Sequence, residues 1–237
     1  GTAALDGPEP LAIAENDHPT LLAACHAHAI ELVVVGPEAP LAAGLADLLR
    51  DAGFPVFGPG ADGAQLEASK QWAKALMVEA GIPTAGYWHA TSREQALAVL
   101  NQQQTPLVVK ADGLAAGKGV IVALSEDEAH AAIDDMLLGN KMGNAGARVV
   151  IEDFLPGEEA SFIVLTDGVT AVPLASSQDH KARDDGDRGP NTGGMGAYSP
   201  APVMTPAMEA RVMTEIIAPT LAGMAQRGTP FKGVLFA

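Results

Sequence analysis

The spacing of apolar residues changes period along this chain, and each change marks an expected element. Residues 21–30 are alanine-rich and read as a helix, and Leu32, Val33, Val34 and Val35 form an unbroken apolar run. So short a run, rich in β-branched residues, suits a parallel strand covered on both faces. Gly36-Pro37-Glu38 turns the chain into a second helix over about 41–50, which Gly53 ends. Pro55-Val56-Phe57 is a further short strand, closed by Gly58-Pro59-Gly60. Strand, helix and strand with short connections predict a doubly wound α/β unit. Over 64–80 the period is helical again. Trp72, Ala73, Leu76 and Ala80 share one face, and Lys70 and Lys74 share another.

Beyond Pro83 the period shortens. Leu107-Val108-Val109 and Val120-Ile121-Val122 are β-runs, and two capping boxes, Thr91 with Glu94 and Ser125 with Glu128, open helices beside them. Ala129, Ala132, Ile133, Met136 and Leu137 give the second helix its buried stripe. Residues 149–152 form a strand, and 161–165 with 169–174 predict a hairpin around Asp167-Gly168. Residues 176–202 are different: dense in Gly, Asp and Pro, with almost no apolar period. A loop that long is either functional or disordered. Thr205-Pro206 opens a last helix with Met208, Val212 and Ile216 facing inward, and residues 233–237 read as a buried strand.

Composition narrows the class. With 237 residues, 48% of them hydrophobic and 18% charged, the chain can fill one large core or two to three small ones. It has no apolar run of membrane-spanning length. One cysteine excludes an intrachain disulfide framework and fits a reducing cytoplasm. A net charge of −15 argues against nucleic acid as a partner. It also means that a bound nucleotide would need local lysines, glycine loops and a divalent metal to offset repulsion. Gly1-Thr2 offers neither an initiator Met nor a signal-peptide pattern, and the last residues stop inside a strand pattern. The expectation is a fragment of a longer protein, its first strand missing upstream.

The chemistry centres on residues 110–122, Lys-Ala-Asp-Gly-Leu-Ala-Ala-Gly-Lys-Gly-Val-Ile-Val. Gly113, Gly117 and Gly119 let backbone N–H groups approach a polyanion, and Lys110 and Lys118 add positive charge. A Walker A loop is excluded: its first glycine would fall at Asp112, its hydroxyl at Gly119, and a strand follows instead of a helix. A glycine loop joining two adjacent strands, as a flap over the triphosphate, is the device of ATP-grasp ligases; an ordinary long hairpin is the bland alternative. Glu152-Asp153-Phe154-Leu155-Pro156-Gly157-Glu158-Glu159 offers an acceptor, an apolar wall and a carboxylate, as a nucleoside requires, or else a plain charged turn. Asp179-His180-Lys181 and residues 191–197, with three glycines, could cradle a carboxylate or phosphate on backbone amides, or form a disordered loop. Cys25, His26 and His28 look like metal ligands but lack a second group at zinc spacing, and are read as structural.

Five segments in order carry a resemblance: Val-Val-Gly-Pro-Glu-Ala-Pro-Leu (34–41), Val-Lys-Ala-Asp-Gly-Leu-Ala-Ala-Gly-Lys-Gly-Val (109–120), Gly-Glu-Glu-Ala-Ser-Phe (157–162), Ser-Gln-Asp-His-Lys (177–181) and Gly-Pro-Asn-Thr-Gly-Gly-Met-Gly-Ala-Tyr-Ser-Pro (189–200). Together they resemble the phosphoribosylamine–glycine ligases, ATP-grasp enzymes of purine biosynthesis. The resemblance implies an α/β fold: a truncated Rossmann-like domain (1–63), a helical connection (64–86), an ATP-grasp lid with the glycine loop (87–156) and part of a second ATP-grasp subdomain (157–237). It implies ATP, glycine and 5-phosphoribosylamine as substrates, Mg²⁺ or Mn²⁺, and a monomeric cytoplasmic enzyme. By position, it gives Lys70, Lys110, Gly113, Gly117, Lys118 and Gly119 to the phosphates. Glu152, Phe154, Leu155 and Glu159 go to adenosine. Asp179, His180, Lys181, Thr192, Gly193, Gly194 and Met195 go to the acceptor side, with Lys110, Lys118, Asp179, His180 and Lys181 as catalytic candidates. The family's metal-binding Glu-x-Asn would fall beyond Ala237 and its first glycine-rich loop before Gly1, so the fragment alone is expected to be inactive. Carboxylating ATP-grasp ligases, such as biotin-dependent carboxylases and carboxyaminoimidazole synthetases, share the phosphate loop but not the Asp-His-Lys and Thr-Gly-Gly-Met-Gly pair. A non-catalytic nucleotide-binding module is the other alternative.

Overall fold

Asp17 opens the first helix. Its Oδ1 accepts from the Thr20 N–H at 3.2 Å and Pro19 sits in the first turn, so α1 (His18–Ala27) begins ahead of the alanine-rich stretch. The structure, a computed structural model, describes residues 7, 9–114, 119–139, 147–186 and 188–237. Two short parallel strands, β1 (Val33–Val34) and β2 (Val56–Phe57), pair as the apolar runs predict, with Val33 opposite Val56. The single helix expected between them is two, α2 (Glu38–Ala42) and α3 (Leu45–Asp51). Gly44 separates them at φ +84°, a left-handed conformation that cannot continue a right-handed helix. On α3, Asp47 Oδ2 accepts from the Ala61 N–H at 2.7 Å, and Arg50 donates to the carbonyls of Val56 and Gly58. These bonds fix the turn that leaves β2.

The helix expected over 64–80 is also two, α4 (Gln65–Ala68) and α5 (Lys70–Glu79). Ser69 between them is extended (φ −140°, ψ 112°), and its Oγ caps α5 by accepting from the Trp72 N–H at 3.2 Å. The apolar face of α5 packs as its spacing requires, burying Ala73 and Leu76, but Lys74 is buried as well.

An antiparallel α+β unit follows: β3 (Tyr87–Ala90), α6 (Arg93–Leu100), β4 (Leu107–Ala111), β5 (Val120–Ala123), α7 (Glu126–Leu137) and β6 (Val149–Asp153). The strand order is β3-β6-β4-β5. Leu107, Val109, Val149 and Ile151 line one face and pack on Ala129, Ala132, Ile133 and Met136 of α7. Strand alternation therefore puts Val108, Lys110, Val150 and Glu152 on the opposite face. The Ser125–Glu128 box caps α7, with Glu128 Oε2 accepting from the Leu124 N–H at 2.7 Å. The first box is displaced by one residue. Ser92 caps α6, and Gln95, not Glu94, reaches back to the Thr91 N–H at 2.9 Å. That register turns Ala96 and Leu100 into the core.

β7 (Ile163–Thr166) and β8 (Ala171–Pro173) form the expected hairpin, and Asp167 Oδ1 accepts from Val169 and Thr170 N–H in its turn. The polar stretch 176–202 is not a structureless loop. Short strands β9 (Gln178–Asp179), β10 (Ala182–Asp184), β11 (Arg188–Asn191) and β12 (Ala197–Tyr198) fold it into a ribbon, β9 pairing with β12 and β10 with β11. Such pairs need no apolar face, so hydropathy carries no trace of them.

Thr205 caps α8 (Pro206–Val212), which runs through a π-helical turn (Met213–Ile217) into α9 (Ala218–Gln226). The extra residue of that turn shifts the inward register. Ile217, Leu221 and Met224 are buried, while Met208, Val212 and Ile216 are only partly so. β13 (Gly233–Phe236) joins the hairpin in the order β13-β7-β8. Among the described residues no helix is long and apolar enough to cross a membrane.

Candidate functional site

Lys110 and Glu152 stand on adjacent strands, on the face turned away from the α6–α7 core. Lys110 Nζ lies 2.9 Å from Glu152 Oε2, and Lys74 Nζ reaches the same oxygen from α5 at 3.1 Å. Glu152 is buried, whereas the Lys110 side chain keeps about a quarter of its surface in solvent, 26%. Lys70, on the first turn of α5, donates from Nζ to the Gly113 carbonyl at 3.2 Å and so meets the start of the glycine loop. Burial holds the Lys70 ammonium below the usual lysine range. Glu67 and Asp112 oppose that shift, and the like charge of Lys110 reinforces it. Lys70 thus meets the start of the loop, while Lys74 and Lys110, from two different elements, share one carboxylate.

Asp112 is 1% exposed and ties the loop to α5. Its carboxylate accepts from the Gln71 N–H at 2.7 Å and from Ser69 Oγ at 3.2 Å, with Arg148 Nη2 at 3.0 Å. Its N–H donates to the Arg148 carbonyl and its own carbonyl accepts from the Lys70 N–H. A second carboxylate therefore caps the N-terminus of α5 from a distant strand, where the helix dipole favours negative charge. Sequence reading missed Asp112, Arg148 and Lys74 as contributors. Lys74 was legible only as the residue one turn beyond Lys70.

Beyond β6 the chain is open. Phe154, Leu155 and Glu159 are all exposed. Glu159 Oε1 pairs with Lys181 Nζ at 2.6 Å, and Asp179 lies 3.9 Å from the same ammonium. Burial is the largest single effect and opposes the charge on Lys181, but the Glu159 hydrogen bond and the negative charges of Glu159 and Asp179 together outweigh it and raise the lysine above its ordinary value. The residues assigned separately to adenosine and to the acceptor are therefore in contact.

In the ribbon the His180 ring lies against Tyr198, centroids 5.4 Å apart, and Tyr198 Oη donates to Gln178. The Gly194 N–H donates to Thr192 Oγ1 and the Met195 N–H to the His180 carbonyl. These two amides, offered by the sequence as an anion cradle, are engaged within the ribbon, and Gly193 is left exposed. Gly117 and Lys118 lie outside the described residues. Gly119 is described, and its carbonyl accepts from the Ala111 N–H at 2.8 Å.

His26 packs edge-on against Phe54, which accounts for part of the Cys25–His28 group as structure. Among the described residues no three or more His, Cys, Asp or Glu gather where a metal could bind. A separate cavity of about 510 Å³ lies at the C-terminal ends of β1 and β2, lined by Gly36, Leu41, Phe57, Gly58, Ile217 and Leu235, among others. It is mostly apolar and does not include the lysine cluster.

Residues 1–67 match the family model described as phosphoribosylglycinamide synthetase, N domain, and residues 68–237 its ATP-grasp (A) domain. A phosphoribosylamine–glycine ligase of Neisseria meningitidis serogroup B is 61% identical over 220 residues, 93% of this chain and 52% of that one. Its counterpart in Allochromatium vinosum is 58% identical over all 237 residues, 55% of its own length. The chain spans about half the length of the curated relatives it matches. The crystal structure of the Thermotoga maritima phosphoribosylamine–glycine ligase superposes with TM-score 0.70 at 37% identity, covering 76% of this chain and 46% of that one. A biotin carboxylase from Campylobacter jejuni shares the fold alone, with TM-score 0.72 at 16% identity over 93% of this chain and 48% of that one. The fold is ATP-grasp, and the chain belongs to the phosphoribosylglycinamide synthetase family.

Proposed function

We propose that this chain carries the nucleotide side and part of the acceptor side of a cytoplasmic enzyme that joins glycine to 5-phosphoribosylamine at the expense of ATP. A glycine carboxylate oxygen attacks the γ-phosphorus of ATP and ADP leaves, giving glycyl phosphate. The amine of phosphoribosylamine then attacks the acyl carbon, loses a proton and expels phosphate. Both steps depend on positioning and charge neutralisation. Lys70 and Lys110 offset phosphate charge at the mouth of the glycine loop, Phe154 and Leu155 flank the base, and Glu159 accepts from the ribose hydroxyls. Asp179, His180, Lys181 and the 192–195 turn face the acceptors. Among the described residues no three or more His, Cys, Asp or Glu gather to hold the divalent cation that the resemblance implies.

The observation that carries this reading is the convergence of Lys70 and Lys110 on the start of the Gly113 loop, beside buried Glu152. The test is ATP turnover by the intact protein. ADP release should require both glycine and phosphoribosylamine, with glycinamide ribonucleotide identified by mass. Turnover with bicarbonate in place of glycine would assign the site to a carboxylating ligase instead.

A further inference from the structure

Lys74 is not itself among the residues given to substrate, yet it is a buried ammonium, 7% exposed, one turn from Lys70. An ammonium has three protons to donate. Three acceptors surround this one: Glu152 Oε2 at 3.1 Å, Thr84 Oγ1 at 2.7 Å and the Ala85 carbonyl at 3.3 Å. The Tyr87 ring adds a cation–π face 5.8 Å away. With its donors engaged, Lys74 has none left for a phosphate. Its charge still bears on Lys110, because the two lysines share Glu152 Oε2.

A single carboxylate between two ammonium groups leaves one net positive charge, and the only partly exposed member of the trio is Lys110. Without Lys74, the Lys110–Glu152 pair would be neutral, and Lys110 would be drawn wholly into that pair. We propose that Lys74 is a positioning residue for the nucleotide's phosphates: it balances Glu152, so that Glu152 orients Lys110 without cancelling its charge. Thr84 and Ala85 lie on the segment entering β3, so Lys74 also ties α5, β3 and β6 together at this point.

The inference rests on the nucleotide reading of Lys70 and Lys110, and the ligands of the test keep the two apart. Binding of ATP, ADP and adenosine to the chain is measured by calorimetry at fixed Mg²⁺. Lys74→Met should weaken ATP and ADP by about tenfold or more, the effect of one lost charge-assisted contact, while adenosine changes by less than about twofold. An equal loss for all three ligands would make Lys74 merely structural and overturn the inference, as would no loss in a folded variant. Should Lys74→Met fail to fold, Lys74→Gln keeps an amide donor near Thr84 and Glu152 but removes the charge. Its ratio of ATP to adenosine affinity should fall by the same factor of about ten, and a ratio equal to the wild type's would overturn the inference. A wild-type chain that binds neither ATP nor adenosine would reject the nucleotide reading itself, and this inference with it.

Discussion

At the scale of single residues, burial decides what each charge is worth to the fold. Glu159 and Lys181 form an exposed ion pair, with side chains 65% and 43% in solvent, and pairs of this kind contribute at most about 1 kcal/mol to folding. Glu159→Gln should therefore leave the melting temperature near wild type while weakening ATP binding, read by calorimetry; unchanged ATP affinity would remove Glu159 from the nucleotide site. Lys70 carries the opposite signature. Burial depresses its pKa, so below the folded value its charge costs folding stability. Between that value and 10.5 the unfolded chain binds more protons, and stability from this group rises with pH. Lys70→Met should then melt no lower than wild type at neutral pH, lose that alkaline gain, and show a smaller rise in melting temperature on adding ATP. A variant that melts lower and responds fully to ATP would make Lys70 a structural lysine. Lys110 and Glu152 were legible in the sequence because each closes an apolar β-run. Lys74 and Asp112 were not, because their partners are distant in the chain and only the folded register unites them.

Elements were legible where one period ran long enough to bury a face, as in α7 and the β7–β8 hairpin. They were misread where a single residue interrupts the period. Gly44 and Ser69 each break a helix that hydropathy alone would continue, and the π-helical turn slips the buried register from Ile216 to Ile217. The ribbon 176–202 was invisible because its two-stranded pairs are held by backbone hydrogen bonds and bury little. The break at Ser69 has a function: it starts α5 where Asp112 can cap it. Asp112→Ala removes a cap and charge-assisted bonds to Gln71, Ser69 and Arg148, and should cost about 2–4 kcal/mol by denaturant unfolding. The same variant should weaken ATP, since the glycine loop leaves β4 at this residue. A variant that loses less than about 0.5 kcal/mol would show that Ser69 alone suffices to cap α5.

For the whole molecule, the contact that joins its N-terminal and C-terminal parts is tight at one point and loose beside it. β2 leaves through Gly58, and β13 enters through Gly233, whose φ is +141°. A Cβ at Gly233 would stand 3.0 Å from Pro59 Cδ and 3.1 Å from Gly58 Cα, closer than side-chain carbons ordinarily come to backbone. Immediately alongside, the apolar cavity of about 510 Å³ separates Leu41 and Phe57 from Ile217 and Leu235, so few other contacts can absorb a displacement there. Gly233→Ala should therefore destabilise twice over, through a strained dihedral and through a forced separation of the two backbones, by about 2–4 kcal/mol in total. Gly81→Ala supplies the comparison. Gly81 also has positive φ, at +67°, but a Cβ there meets nothing within 4 Å, so only the dihedral cost of about 1 kcal/mol applies. Unfolding both variants in denaturant isolates the contribution of the crossing as the difference between them. Equal losses would mean that the two parts of the chain are not held together at Gly58 and Gly233, and that the parallel pair β1–β2 finds its place against β13 by some other contact.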